Sequence, residues 1–201
     1  MKKLLDLPYK GNRNYLHGSD IFNSLSSIAD DVTGEKGSYI ERLSFRGFAR
    51  KSCFIETISP DNEKKVVGEV RYRACGMTEP VRAFIIETEM AVTGRATFNE
   101  ASIVQDAVFD AAGSSAQILF DSEYSVIENI IALTKFLNYS VVPDVDGKWV
   151  FGQLDLMFPL VKACENVSVH MVKLINNKFS VNNIYLDKKK VGSIRFIVGA
   201  P

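Results

Sequence analysis

Histidine is scarce in this chain. Only His17 and His170 occur among 201 residues, so machinery of the Ser-His-Asp kind has almost no material to draw on. Cysteine is scarce as well: Cys53, Cys75 and Cys164 are odd in number, far apart and never spaced Cys-x-x-Cys. That pattern excludes a disulfide framework or a zinc site as the organising device, and the strand-like segments around Cys53 and Cys75 predict buried structural thiols. Charge of neither sign is in excess, with 24 Lys plus Arg against 24 Asp plus Glu. No basic field exists to gather phosphates, so a nucleic-acid partner is not expected. The one basic run, Lys188 to Lys190, reads as a solvated turn between two alternating segments.

No stretch reaches the roughly 18 uninterrupted apolar residues of a membrane span. The positive start at Lys2 and Lys3 meets Asp6, Pro8 and Lys10 before an apolar leader core can form. The expectation is a soluble cytoplasmic protein without a membrane partner. No glycine-rich phosphate loop, dinucleotide fingerprint or metal-ligand spacing occurs, so neither a bound cofactor nor a metal is expected.

What is present is an ordinary globular balance, 46% hydrophobic and 24% charged residues, in a chain long enough to bury a sizeable core. Residues 14–29 pass from a loop into helical spacing through Leu16, Ile21, Phe22, Leu25 and Ile28, with Ser19 or Asp20 as the expected N-cap and Gly34 and Gly37 as stops. Strand-like runs follow at 39–58, 64–76 and 81–92, parted by turn-forming residues at 59–63 and 76–80. After Gly94 the pattern changes. Ile103, Val104, Ala107, Val108, Ala111 and Ala112 recur at helical intervals behind Asn99, and 124–139 reads as a second helix. Alternating runs then occupy 148–160, 165–175, 177–187 and 189–199.

Helix then antiparallel strands, and again helices then antiparallel strands, is the layout of a duplicated unit, although no residue-level repeat is visible. We place the units at 1–94 and 95–201. A helix wrapped by a curved antiparallel sheet buries a helix stripe and one sheet face together. The fold class is therefore α+β, with two helix-wrapped antiparallel sheets expected to form one continuous sheet.

Several residues qualify for chemistry. Asp106 and Asp110, four apart, share one face if 99–112 is a helix. A carboxyl beside buried surface either has a raised pKa or faces a pocket, whereas at the edge of the stripe it is simply solvated. His17 has the titration range of a general base, or it hydrogen-bonds a turn carbonyl. Gly113-Ser114-Ser115 does not have nucleophile-elbow spacing and suits close helix packing better. His170 reads as a strand-face residue, and Trp149 as packing or a pocket rim. Arg46, Arg50 and Lys51 are strand-end charges able to meet an acidic carrier or a phosphate.

The order of elements resembles the double hot-dog fold of the dehydratase domains of polyketide and polyunsaturated fatty acid synthases. Those domains carry His-x-x-x-Gly-x-x-x-x-Pro just before the first helix, and here Asn14-x-x-x-Gly18-x-x-x-x-Asn23 takes that place, keeping only the glycine. In the second half, "ASIVQDAVFDA" (101–111) is similar to the family's "HPALLDAALQA" and sets Asp106 at the family's aspartate, with Asp110 one turn later.

The resemblance implies dehydration of a 3-hydroxyacyl thioester carried on a phosphopantetheine arm, in fatty-acid-like or polyketide biosynthesis. The family's histidine removes the α-proton and its aspartic acid handles the hydroxyl. On this reading Asp106 is the acid and His17 a displaced base, Asp110 is a further catalytic carboxyl able to join Asp106 in activating a water for thioester hydrolysis, and Asn14, Gly18 and Trp149 are substrate-side residues. The implied partners are an acyl carrier protein or a CoA thioester, with a synthase complex or a homodimer as further possibilities. Asparagine cannot take a proton from carbon at neutral pH. Two alternatives therefore stay open: a degenerate acyl- or carrier-binding partner, and a hot-dog thioesterase that needs only a helix carboxylate and a water.

Overall fold

The computed structural model describes residues 1–58 and 65–200. The turn expected at 59–63 lies outside the described residues. The chain divides into two compact units, Met1–Phe98 and Asn99–Pro201.

In the first unit the order is β1 (Lys2–Leu5), β2 (Tyr9–Lys10), α1 (Gly18–Ser27), α2 (Ala29–Thr33), β3 (Tyr39–Phe45), β4 (Cys53–Glu56), β5 (Val66–Arg73), β6 (Val81–Glu87) and β7 (Arg95–Ala96). Its sheet runs β1-β4-β6-β5-β3, antiparallel throughout, and β2 and β7 form a separate parallel pair. Helix α1 turns Ile21, Phe22 and Leu25 onto the sheet, where Ile40, Leu43, Val70, Ile85 and Tyr72 are buried. The Tyr72 hydroxyl reaches the Leu25 carbonyl at 3.3 Å, and burial alone holds its ionisation far above the phenol range. Gly34 ends α2 in the left-handed conformation, φ 76°, as its place after the apolar periodicity predicts.

The second unit follows the order α3 (Glu100–Ile103), β8 (Val108–Asp110), β9 (Ser115–Leu119), α4 (Val126–Val141), β10 (Lys148–Leu156), β11 (Asn166–Ile175), β12 (Phe179–Leu186) and β13 (Lys189–Gly199). Its strands pair as β10-β13-β12-β11-β9-β8. Helix α4 lays Ile127, Ile130, Ile131, Leu133 and Leu137 on the face that carries Val167, Val169, Ile184, Ile194 and Phe196. Ser180 and Asn182 interrupt this apolar face on β12. Asn182 Nδ2 donates to Ser180 Oγ at 3.0 Å, which offsets part of the cost of burying two polar groups, while the buried Asn182 Oδ1 has no hydrogen-bond partner. Asp187 and Lys188, both at positive φ, make the two-residue turn between β12 and β13, so the basic run is the hairpin corner that its charge suggests.

Counted from the strand ahead of the main helix, the first sheet reads first-third-fifth-fourth-second. The second, counted from β9, reads first-third-fourth-fifth-second. The two halves thus repeat a layout while differing in strand order, which agrees with the missing residue-level repeat.

Three expectations need correction. Residues 99–112 are not one helix: α3 stops at Ile103, Val104 to Asp106 make a turn, and β8 and β9 form a hairpin. Ser115–Leu119 alternates inward Ala116 and Ile118 with outward Gln117 and Leu119 and pairs with β11, so long-range pairing overrides the alanine-rich local preference. Gly113-Ser114 is the hairpin corner, with Ser114 at φ 45°, rather than a helix-packing site. Cys75 is exposed in the turn after β5, whereas Cys53 is buried as expected. Among the described residues, no helix is long and apolar enough to cross a membrane.

Candidate functional site

The chain that leads into α1 is tied down on both sides. Gly11 N–H donates to Ala96 O and Leu16 N–H to Ala49 O, while the Arg95 guanidinium holds the carbonyls of Gly11 (2.5 Å) and Arg13 (2.9 Å). Gly11 itself sits at φ 57°, where a side chain would be strained. This bracing delivers His17, not Ser19 or Asp20, as the N-cap of α1. Its carbonyl accepts the Asp20 and Ile21 amides at 3.0 and 3.1 Å.

The His17 side chain makes no cap and is buried, with Nδ1 2.7 Å from Ser19 Oγ. Its ring lies 5.6 Å from the Phe98 ring. A buried lysine faces the same hydroxyl. Lys10 Nζ lies 2.6 Å from Asp20 Oδ1 and 3.3 Å from Ser19 Oγ, and 4.4 Å above the Phe98 ring. Arg13 stacks on Phe98 as well, at 5.5 Å. An ammonium survives burial only with a counter-charge and donors well used, and Asp20, Ser19 and the Phe98 π face supply both. Asp20, in the first turn of α1, also favours the positive end of the helix dipole. The result is a polar cluster of the buried Lys10, His17 and Ser19 with the partly buried Asp20, at a helix N-terminus whose first amides are uncapped by the N-cap side chain.

The other expected residues fall elsewhere. Asn14 is exposed in the bend before the helix, Gly18 is the first residue of α1, and Asn23 lies exposed in the middle of that helix. The Asn14-Gly18-Asn23 stretch therefore runs into the helix and does not precede it. Asp106 and Asp110 do not share a helix face. Asp106 is exposed in the turn after α3, where it lines an open cleft of about 450 Å³ with Ile103, Gln117, Leu119, Asp121 and Asn166. Asp110 is exposed at the end of β8, and its Oδ1 accepts the Ala112 amide at 3.0 Å, an Asx turn that closes the hairpin. Trp149 is a core residue of the second unit, 1% exposed, which fits its packing role and not a rim. His170 stands on the outer face of β11 with its ring 4.6 Å from that of Tyr185.

One residue escaped the sequence reading. The main helix of the second unit is α4, and its single acidic residue is Glu128, at the third helical position. Glu128 Oε2 accepts both the Ser125 amide (2.7 Å) and the Ser125 hydroxyl (2.6 Å) in a capping box. The signal was available in Ser125-Val126-Ile127-Glu128 ahead of an apolar run, which is the S-x-x-E signature of a helix start. Each unit thus carries a titratable side chain at the start of its main helix: His17 in one, Glu128 in the other. Among the described residues, no three His, Cys, Asp or Glu side chains are grouped to hold a metal ion.

No protein-family model and no curated protein matches the sequence. Solved structures do. The dehydratase domain of the polyketide PpsC from Mycobacterium tuberculosis matches with a TM-score of 0.50 at 10% identity, over 100% of this chain and 88% of that one. A candidate thioesterase II from Thermobifida fusca matches at 0.49 and 11% identity, over 94% and 88%. The pyran synthase domain from module nine of the sorangicin pathway matches at 0.49 and 7%, over 100% and 92%. The chain has the α+β hot-dog fold of dehydratase domains, and identities this low speak for the fold alone.

Proposed function

We propose that the protein is a dehydratase-like enzyme acting on 3-hydroxyacyl or enoyl thioesters held on a phosphopantetheine arm, supplied by an acyl carrier protein or as CoA thioesters. The observation that carries this reading is the burial of His17 at the N-terminus of the first hot-dog helix, with one ring nitrogen anchored on Ser19. Reversible dehydration needs a base for the α-proton, an acid for the departing hydroxyl and donors for the charge that develops on the thioester oxygen. We assign the proton work to His17 and the donor work to the first amides of α1.

Asn14 favours a second reading. An exposed asparagine at the place of the family's base suits a partner that binds acyl groups or carriers without converting them.

The test is ultraviolet-monitored hydration of enoyl-pantetheine and enoyl-CoA thioesters by the parent and His17→Ala. The expected result is a falling enoyl absorbance with the parent and a loss of about 100-fold or more in His17→Ala. A flat trace from folded parent protein overturns the dehydratase reading, and release of free thiol in the same assay assigns the protein to hydrolysis.

A further inference from the structure

A cluster of arginines lies on the face of the first sheet opposite α1. Along β5, Val70 and Tyr72 are buried and Tyr72 reaches Leu25 of that helix, so the alternate residues Glu69 and Arg71 point the other way. Arg71 and Arg82 are direct cross-strand partners there, and both bond Glu69. Arg71 Nε meets Oε1 at 3.2 Å, and a terminal nitrogen of Arg82 meets Oε2 at 2.6 Å. The Arg46 guanidinium stands 4.0 Å from the same Oε2, and Arg82 also stacks on the Phe84 ring at 4.8 Å. Of the three charges that the sequence offers to an acidic carrier or a phosphate, the structure sends two elsewhere. Lys51 pairs with Glu89 at 2.5 Å and Arg50 lies over the Phe48 ring at 5.9 Å, whereas Arg46 joins two arginines from other strands.

One carboxylate does not require this company. Each oxygen of Glu69 already accepts a guanidinium N–H, so Arg46 adds charge and not a bond, and like charges directly opposite on a sheet cost stability. The Glu69 side chain is 11% exposed, against 48%, 40% and 51% for Arg46, Arg71 and Arg82. The carboxylate is therefore the floor of the cluster, and the guanidiniums face water. Arg71 bonds Glu69 through Nε and Arg82 through one terminal nitrogen, which leaves N–H donors of both forks for a ligand. Three guanidiniums over one carboxylate leave a surplus of two positive charges. A phosphate monoester carries about −1.5 to −2 near neutral pH and three acceptor oxygens, so it matches the surplus in charge and the three forks in number. We infer that Arg46, Arg71 and Arg82, oriented on Glu69, form a site for the dianionic phosphate of a phosphate monoester. The cluster is local in a chain without a charge excess, which fits a single phosphate group and not a nucleic acid. It lies across β5 from α1, whose start carries His17, and it stands independently of the proposed reaction.

The experiment follows the arginine Nε–H resonances of the ¹⁵N-labelled whole chain during titration at constant ionic strength, because salt screens exposed charges. Phenyl phosphate, a dianion, is compared with phenyl sulfate, a monoanion of similar shape. Expected are saturable shifts at Arg46, Arg71 and Arg82 with phenyl phosphate, and about tenfold weaker binding of phenyl sulfate. Arg46→Gln spares both hydrogen bonds of Glu69, so a folding defect does not stand in for a lost contact. It is expected to weaken phenyl phosphate by about fivefold to tenfold. Arg82→Lys keeps the charge but loses the planar fork, and about the same loss is expected. A panel of phosphoserine peptides then separates the sources. Peptides that exceed phenyl phosphate by about tenfold or more place the phosphate on a partner chain, and a panel that never exceeds it assigns a small ester. Equal binding of the two phenyl probes, Arg46→Gln binding like the parent, or no saturable shift at the three arginines overturns the inference.

Discussion

Lys10 Nζ and Asp20 Oδ1 meet at 2.6 Å with only 7% and 19% of their side chains exposed, so the entry to the first helix is held by a buried ion pair. Breaking one member strands the other. Lys10→Met is expected to cost about 3 kcal/mol, because Asp20 keeps its charge without a partner, whereas Lys10→Met with Asp20→Leu recovers most of the loss. Urea unfolding followed by circular dichroism measures both, and a single variant as stable as the parent would show that water reaches the pair.

Gly192 leaves no room for a side chain. A Cβ there would lie 2.1 Å from the Asp155 carbonyl oxygen on β10, across the Leu156–Gly192 pairing. Gly192→Ala must force the two strands apart, with an expected loss of about 3 kcal/mol. Gly199→Ala, whose Cβ would meet only Val150 Cγ2 at 3.6 Å, is expected to be near neutral. Thermal melts of the two variants side by side check the contrast.

The three thiols should react in order of exposure. Cys75 is exposed, whereas burial, helped by Glu87, pushes the Cys53 thiol up to about 12. Burial and Asp187 raise Cys164 to about 11. At pH 8 a disulfide reagent labels Cys75 first, Cys164 more slowly, and Cys53 only after unfolding, because the thiolate is the reacting form. Peptide mass spectrometry after timed quenching reads the order, and early label on Cys53 would contradict its burial.

Glu69 couples stability to acidity. Burial alone would raise its carboxyl, but hydrogen bonds from Arg82 (2.6 Å) and Arg71 (3.2 Å) outweigh that and hold it below the usual carboxylate range. A depressed folded-state pKa contributes stability above the unfolded value of about 4.3, and the contribution is lost as pH falls below that toward the folded value. Glu69→Gln should flatten the fall of melting temperature with acidification in that window. An unchanged slope would mean that other carboxylates set the acid limit.

Much of this architecture was legible from periodicity. Alternation at Phe179–Leu186 and Lys189–Gly199 marks strands buried mainly on one face, the short apolar run in Val81–Glu87 marks a strand buried on both, and the apolar spacing with a Ser125-x-x-Glu128 start marks α4. The candidate site was less legible. His17 was visible as a residue, yet its partner Lys10 looked like an ordinary surface lysine beside Pro8 and Gly11. Its burial follows from the β2–β7 pairing, which joins residues 9–10 to residues 95–96. The error at 99–112 has the same origin, since Ser115–Leu119 becomes a strand by pairing with β11, about 50 residues later.

By itself the sequence determined what local forces specify: helices α1 and α4, the alternating strands from β10 to β13, the glycine stop at Gly34, the hairpin corner at Asp187-Lys188 and the absence of a charge excess. Tertiary structure alone decided which polar groups share a hydroxyl. Lys10, His17, Ser19 and Asp20 become a cluster only when a loop braced by Ala96, Ala49 and Arg95 folds back on the helix start. Hydrogen bonds act over about 3 Å, and no periodicity in a sequence encodes distances between segments that meet only after folding.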